Sequence, residues 1–181
     1  MNRVLVFTYK DGLLSRLAHD LQIDCSHFEV ERKGTEIFAR FVLGSLTVDG
    51  AVQRGHVAHG VLSQGDRRKI EQTMADEVLE LRRFGEATMR GTIAAKPDGS
   101  RIEGTLELHG RTVALPPMTV AKRGAVWTTE VSIAPSRWGI APYRALAGAL
   151  KLQDRVTVKI ELDAELGADG DARWGRDPKH G

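Results

Sequence analysis

The strongest constraint on this chain is apolar alternation with a period of two, because successive side chains of a strand point to opposite faces and a half-buried sheet is what uses that pattern. In Leu17 to Cys25, the residues Leu17, Leu21, Ile23 and Cys25 share one face with His19, against Ala18, Asp20, Gln22 and Asp24. Ile37, Ala39, Phe41 and Leu43 repeat the pattern, and Leu46 and Val48 resume it after Gly44, which reads as a bend or bulge. Further runs comprise Ile93, then Ile102, Gly104, Leu106 and Leu108, then Val113 and Leu115, then Trp127, Thr129, Val131 and Ile133. The most regular is Val156, Val158, Ile160 and Leu162 against Thr157, Lys159, Glu161 and Asp163.

Turn chemistry separates the runs at Lys33-Gly34, Asp49-Gly50, Pro97-Asp98-Gly99-Ser100, His109-Gly110 and Arg123-Gly124. Strands spaced by ~8 to 12 residues predict antiparallel hairpins in a sandwich or barrel, not the crossover units of a parallel sheet. One interruption stands out. Asp66 to Phe84 lacks Gly and Pro, and Ile70, Met74, Val78 and Leu81 recur at helical spacing, so an amphipathic helix is expected there, with Asp66 as N-cap and Gly85 as its stop. A second helical turn is expected in Tyr143 to Leu150, after Pro142. Residues 167–181 hold four glycines, alternating charges and one large apolar side chain, Trp174, and read as a flexible tail beyond a single domain spanning 1–166.

Composition matters mainly for what it excludes. A chain of 181 residues builds one core without disulfides, and the single Cys25 has no intramolecular partner. The formal charge of +2 does not support binding of nucleic acid through the whole-molecule field. The run Val4-Leu5-Val6-Phe7 is too short for a secretory leader or a membrane span, so a cytoplasmic location is expected.

Candidate chemistry is sparse. His56 and His59 lie three apart, but they sit between Gly55 and Gly60 with no third ligand of the right kind nearby, so no metal is expected. His19-Asp20 resembles part of a dyad, with Ser15 or Cys25 as nucleophile; on a strand the two side chains point to opposite faces, and no Gly-x-Ser-x-Gly elbow is present. No P-loop, dinucleotide fingerprint or His-Glu-x-x-His occurs, so no cofactor is expected and no catalytic residue is assigned. Arg67-Arg68-Lys69 lacks interleaved aromatics and reads as a solvated helix start rather than a phosphate site. Phe41, Met89, Trp127, Trp138 and Tyr143 would either fill a core or line a pocket.

The stretch Ile102 to Leu115, reading IEGTLELHGRTVAL, resembles the G-x-L-T…G-V-T-x-P-V hairpin of the YceI-like family. His19 matches a histidine often found closing the first strand of that family. Ser136-Arg137-Trp138-Gly139-Ile140 followed by Gln153 to Ile160 resembles its closing blocks, and the helix at 66–84 leading into Gly85 to Met89 resembles its helix-then-strand element. Ala114 stands in place of the hairpin proline, and Phe84-Gly85 in place of Tyr-Pro.

The resemblance implies an all-β, antiparallel, lipocalin-like barrel of about eight strands, and a protein that binds a long-chain apolar molecule such as an isoprenoid, quinone or fatty acyl chain. It also implies pairing into a homodimer. Alternation then points Leu21, Ile23, Cys25, Phe41, Leu43, Leu106, Leu108, Trp127, Val131, Val158 and Ile160 inward, and Met89, Trp138 and Tyr143 join them as expected ligand-lining residues. His19 and Arg137 are the expected polar contacts for a head group. Two other readings remain open: a protein-interaction or stress-regulatory module with a filled core, and an enzyme in which His19, Tyr143 and Arg137 converge on one pocket.

Overall fold

A long hairpin bent at its middle organises the molecule. The computed structural model describes residues 2–11, 19–96, 99–148, 150–164 and 171–176, without the side chain of Lys96. Ser15, Leu17, Ala18 and the Pro97-Asp98 turn therefore lie outside the described residues.

Strands β1 (Arg3–Lys10), β2 (Asp20–Cys25), β3 (Phe28–Lys33), β4 (Glu36–Val42), β5 (Leu46–Gln53) and β6 (His56–Ala58) precede the helix α1 (Gln64–Thr73). After it come β7 (Glu86–Lys96), β8 (Gly99–Leu108), β9 (Arg111–Ala114), β10 (Met118–Arg123), β11 (Val126–Ile133), β12 (Arg144–Ala145), β13 (Leu150–Asp163) and β14 (Ala172–Arg176). They join into one sheet in the order β14-β3-β4-β7-β8-β10-β11-β13-β1-β2-β5-β6, with β9 on β8 and β12 on β13, and every pair described is antiparallel.

Among the described residues the two ends of this order, β14 and β6, do not pair with each other, so the sheet is not closed end to end, but one bent hairpin touches both of its sides. β2 runs into β3 and β4 into β5, so Cys25↔Leu46 and Phe28↔Phe41 belong to one hairpin that bends between them. Its inner half joins β1 and its turn half joins β7. Counting each bent arm once, β1, β2/β3, β4/β5, β7, β8, β10, β11 and β13 make an eight-stranded, barrel-like wall, as the resemblance implies.

Ser45 holds the bend. Its hydroxyl donates to Val42 O at 2.7 Å and accepts from His27 N at 2.9 Å, while Val42 N donates to His27 O at 3.0 Å. Gly44, expected to mark the bend, lies in the single 3-10 turn Leu43–Ser45. Asp49-Gly50, expected to be a turn, instead lies inside β5, where the register against β2 slips between Gln22 and Ile23. The closest backbone approach of β7 and β8 lies at Gly91 and Gly104, which face each other across the pair. A Cβ on Gly104 would stand 2.3 Å from Arg90 O, so only glycine permits the approach. His109 and Gly110 both take positive φ (52° and 72°), which gives the two-residue turn between β8 and β9 the twist a tight hairpin needs.

The helix lies against β5 and β2, with Ile70 and Met74 packed on Leu21, Ile23 and Val48. It starts earlier than the sequence predicts: the N-cap is Ser63, and Asp66 is the third helical residue of a capping box, receiving the Ser63 N–H at 2.9 Å while Ser63 Oγ accepts from Asp66 N. It also ends earlier. The turn widens over Met74–Val78 and the chain reverses at Glu80 (φ 48°), well short of Gly85. Tyr143 to Gly148 holds no right-handed helical turn either: Arg144–Ala145 form β12, and in the short turn Leu146–Gly148 that follows, Leu146 and Ala147 are left-handed (φ 52° and 55°).

The tail is the largest departure. Ala172–Arg176 is not loose but forms β14 on β3, and Trp174 is 5% exposed. Its indole donates to Asp163 O at 2.7 Å, so it crosses the end of the barrel from β3 to β13. Arg176 holds the buried Asp24 with contacts of 2.8 and 2.9 Å, which secures the strand at its other end. Residues 167–170 and 177–181 lie outside the described set.

Candidate functional site

Inward-facing side chains that do not meet across a barrel leave a cavity, and here it is about 820 Å³, inside the ~300 to 1,000 Å³ of small-molecule sites. Its walls are Val4, Val6, Leu21 and Ile23 from β1 and β2, Met89, Ile93, Leu106 and Leu108 from β7 and β8, and Trp127, Val131, Val158 and Ile160 from β11 and β13. Cys25, Phe41 and Leu43 line it at the bend. The inner face of α1 adds Ile70, Thr73 and Met74, with Val78 beyond. The floor closes on Val30, Ile37, Ile102, Met118, Val120 and Trp174.

Arg32, Ser100 and Thr129 border the floor, and further polar groups lie at the opposite end. Thr8, His19, Tyr143, Gln153 and Arg155 belong to the wall there, since Thr8 pairs with Leu21 and Val156 at the top of the barrel. Thr8 Oγ1 is buried without a hydrogen-bond partner among the described residues, an uncommon state for a hydroxyl. Asp66 and Lys69 enter from the helix. The Asp66 carboxyl sits below its ordinary value because the Ser63 hydroxyl and then the Ser63 N–H donate to it. Cys25 is pushed the other way: burial raises its thiol, against weaker opposing contacts from Ser45 Oγ and His27 O.

One expected wall residue, Trp138, and one expected head-group contact, Arg137, are elsewhere. Trp138 is fully buried but not in the wall: it lies in a 3-10 turn, Pro135–Trp138, and its indole N–H donates to Leu106 O at 2.9 Å. That bond gives the polar tip of the indole a partner that an apolar cavity does not supply. Ile140, two residues on, takes the wall position. Arg137 is exposed, with its guanidinium 5.7 Å from the Trp138 ring centroid and outside the cavity. The set His19, Tyr143 and Arg137 is therefore not brought together. His56 and His59 are both exposed, on and just beyond β6. Sequence reasoning missed Val4, Val6, Thr8 and Trp174: the first three lie in a run read only as too short for a leader, and Trp174 in a segment read as tail.

The match to known proteins is decisive at the level of family. A model of the YceI-like domain matches residues 14–164. The chain belongs to the YceI-like family. The crystal structure of Burkholderia cenocepacia BcnA is similar to this YceI-like protein with a TM-score of 0.57 and 16% identity, over 88% of this chain and 94% of that one. The structure of a polyisoprenoid-binding domain from Saccharophagus degradans, implicated in plant cell wall breakdown, is similar with a TM-score of 0.50 and 14% identity, over 88% and 91% of the two chains. At these identities the likeness is one of fold. Comparison with curated protein sequences finds no match.

Proposed function

We propose that this YceI-like protein binds one amphiphilic molecule with a long apolar chain of isoprenoid, quinone or fatty acyl type, and carries or sequesters it without chemical change. The observation that carries this reading is the cavity of about 820 Å³, whose wall is largely apolar, with polar side chains around Thr8 at the mouth and a few, Arg32, Ser100 and Thr129, at the floor. The tail would run down the axis toward Trp174, and the head group would meet Thr8 Oγ1, His19 and Tyr143. Burying ten methylenes contributes ~8 kcal/mol before the costs of ordering the chain and of association are subtracted, so micromolar affinity calls for a longer chain or for help from the polar end. Family membership and the likeness to a polyisoprenoid-binding domain support the same reading. A filled-core interaction module accords poorly with a cavity of this size.

Organic extraction of the purified protein followed by mass spectrometry tests the proposal, together with titration of the emptied protein with a fluorescent fatty acid. Recovery of one long-chain species, or 1:1 uptake of the probe, is expected. A protein that yields no lipid and takes up no probe would overturn it.

A further inference from the structure

A second concavity lies on the outside of the barrel, between the outer face of α1 and the strands β1, β2, β5 and β6. It has a volume of about 680 Å³ and is lined mainly by polar side chains, with Arg3, Arg67, Arg68 and His59 as its cationic or ionisable donors. Arg3 and Arg67 are half-buried. None of the three arginines has an ion-pair or side-chain hydrogen-bond partner among the described residues.

The two carboxylates in the same groove accept from neutral donors of its wall, and none of the three arginines pairs with them. Glu71 Oε1 accepts from Val48 N at 2.7 Å, and Asp49 Oδ2 accepts from Gln22 Nε2 at 2.8 Å. Glu161, opposite Arg3 in the β1–β13 ladder, is held by Lys159 at 2.7 Å. Each guanidinium presents five N–H donors in a planar fork suited to bidentate contact with a tetrahedral oxyanion, and three such groups lining one groove outnumber its two carboxylates and favour an incoming anion. We propose that this groove binds a phosphate-class dianion, whether free phosphate, a phosphomonoester or the head group of an acidic phospholipid. The site is separate from the apolar cavity, because α1 turns Ile70 and Met74 inward and Arg67 and Arg68 outward.

Thermal unfolding of the whole protein against inorganic phosphate, with chloride holding ionic strength constant, tests the site. Saturating phosphate should raise Tm by about 2 to 4 °C. Arg67→Gln and Arg3→Gln should each weaken the apparent phosphate affinity about tenfold, while Arg123→Gln, at an exposed position on β10, should leave the response unchanged. Cosedimentation with phosphatidylcholine vesicles containing phosphatidic acid distinguishes the sources: binding to these but not to pure phosphatidylcholine, lost in Arg67→Gln, assigns the lipid head group. If phosphate stabilises no more than chloride and neither vesicle is bound, or if both groove variants respond like the parent, the proposal fails. Uptake of the fluorescent fatty acid should be the same in parent and variants, so failure here leaves the proposal for the cavity standing.

Discussion

The floor and the mouth of the barrel are built from the same alternating strands but end in different states. At the floor, Val30, Ile37, Ile102, Met118 and Trp174 are each no more than 8% exposed. Toward the mouth, Leu108, Val131, Val158 and Tyr143 face inward yet remain half-exposed. The floor has a plug, because β14 carries an indole across the end. Stability and binding capacity are therefore placed at opposite ends of one core, and substitutions should separate them.

The largest effect is expected at the plug. Trp174→Ala leaves a large cavity and frees the Asp163 carbonyl, and should cost about 3 to 5 kcal/mol in urea unfolding; a loss under ~1 kcal/mol would show that β14 is dispensable. Next come two additions of bulk. Val131→Trp, in the open half, should reduce probe affinity by tenfold or more with stability changed by less than ~1 kcal/mol. Val120→Trp, at the packed floor, should destabilise by about 1 to 3 kcal/mol. Equal costs at the two positions would erase the contrast.

Smaller effects follow from titration. The Cys25 thiol is raised above its ordinary 9.0 by burial, so the unfolded chain ionises first as pH rises. Its stabilisation is complete below pH ~9 and is lost as pH climbs toward the folded value, at up to ~1.4 kcal/mol per unit. The difference in urea midpoint between the parent and Cys25→Ala should narrow from pH 7.5 to pH 10, and a constant gap would contradict the buried assignment. Asp66 has the opposite sign. Its lowered value means that the capping box is complete above its ordinary 3.8 and fades as pH falls below it. Ser63→Ala should cost about 1 kcal/mol at pH 7, and the penalty should shrink in acid.

How much of this could be read from the sequence depended on where the partner of each segment lay. Strands with one dry face, such as β13 and β11, announce themselves by alternation, and they supplied most of the wall. β1 did not, because Leu5 is buried on the outer face as Val4 is on the inner, so its run is continuously apolar and carries no period. β14 was illegible for a different reason: five residues with one tryptophan become a strand only against β3, which lies far away in sequence. Trp138 was misplaced because period-two counting says nothing of a 3-10 turn or of an N–H that needs a carbonyl. The helix ends were set by Ser63 and by the wide turn at Met74–Val78, where local hydrogen bonding outranked the apolar spacing that continues to Leu81.

The pairing of β1 with β13 joins Arg3 to Glu161, almost opposite ends of the chain. During synthesis the first strand is thus made long before its neighbour on that side, and the floor waits longer still for Trp174. Until then the bent hairpin and β7–β8 have their local partners, but β1 presents one open, apolar edge. A ribosome that stalls after residue 150 would release a barrel with a missing stave, and this edge is where a chaperone, or a second unfinished copy, would attach.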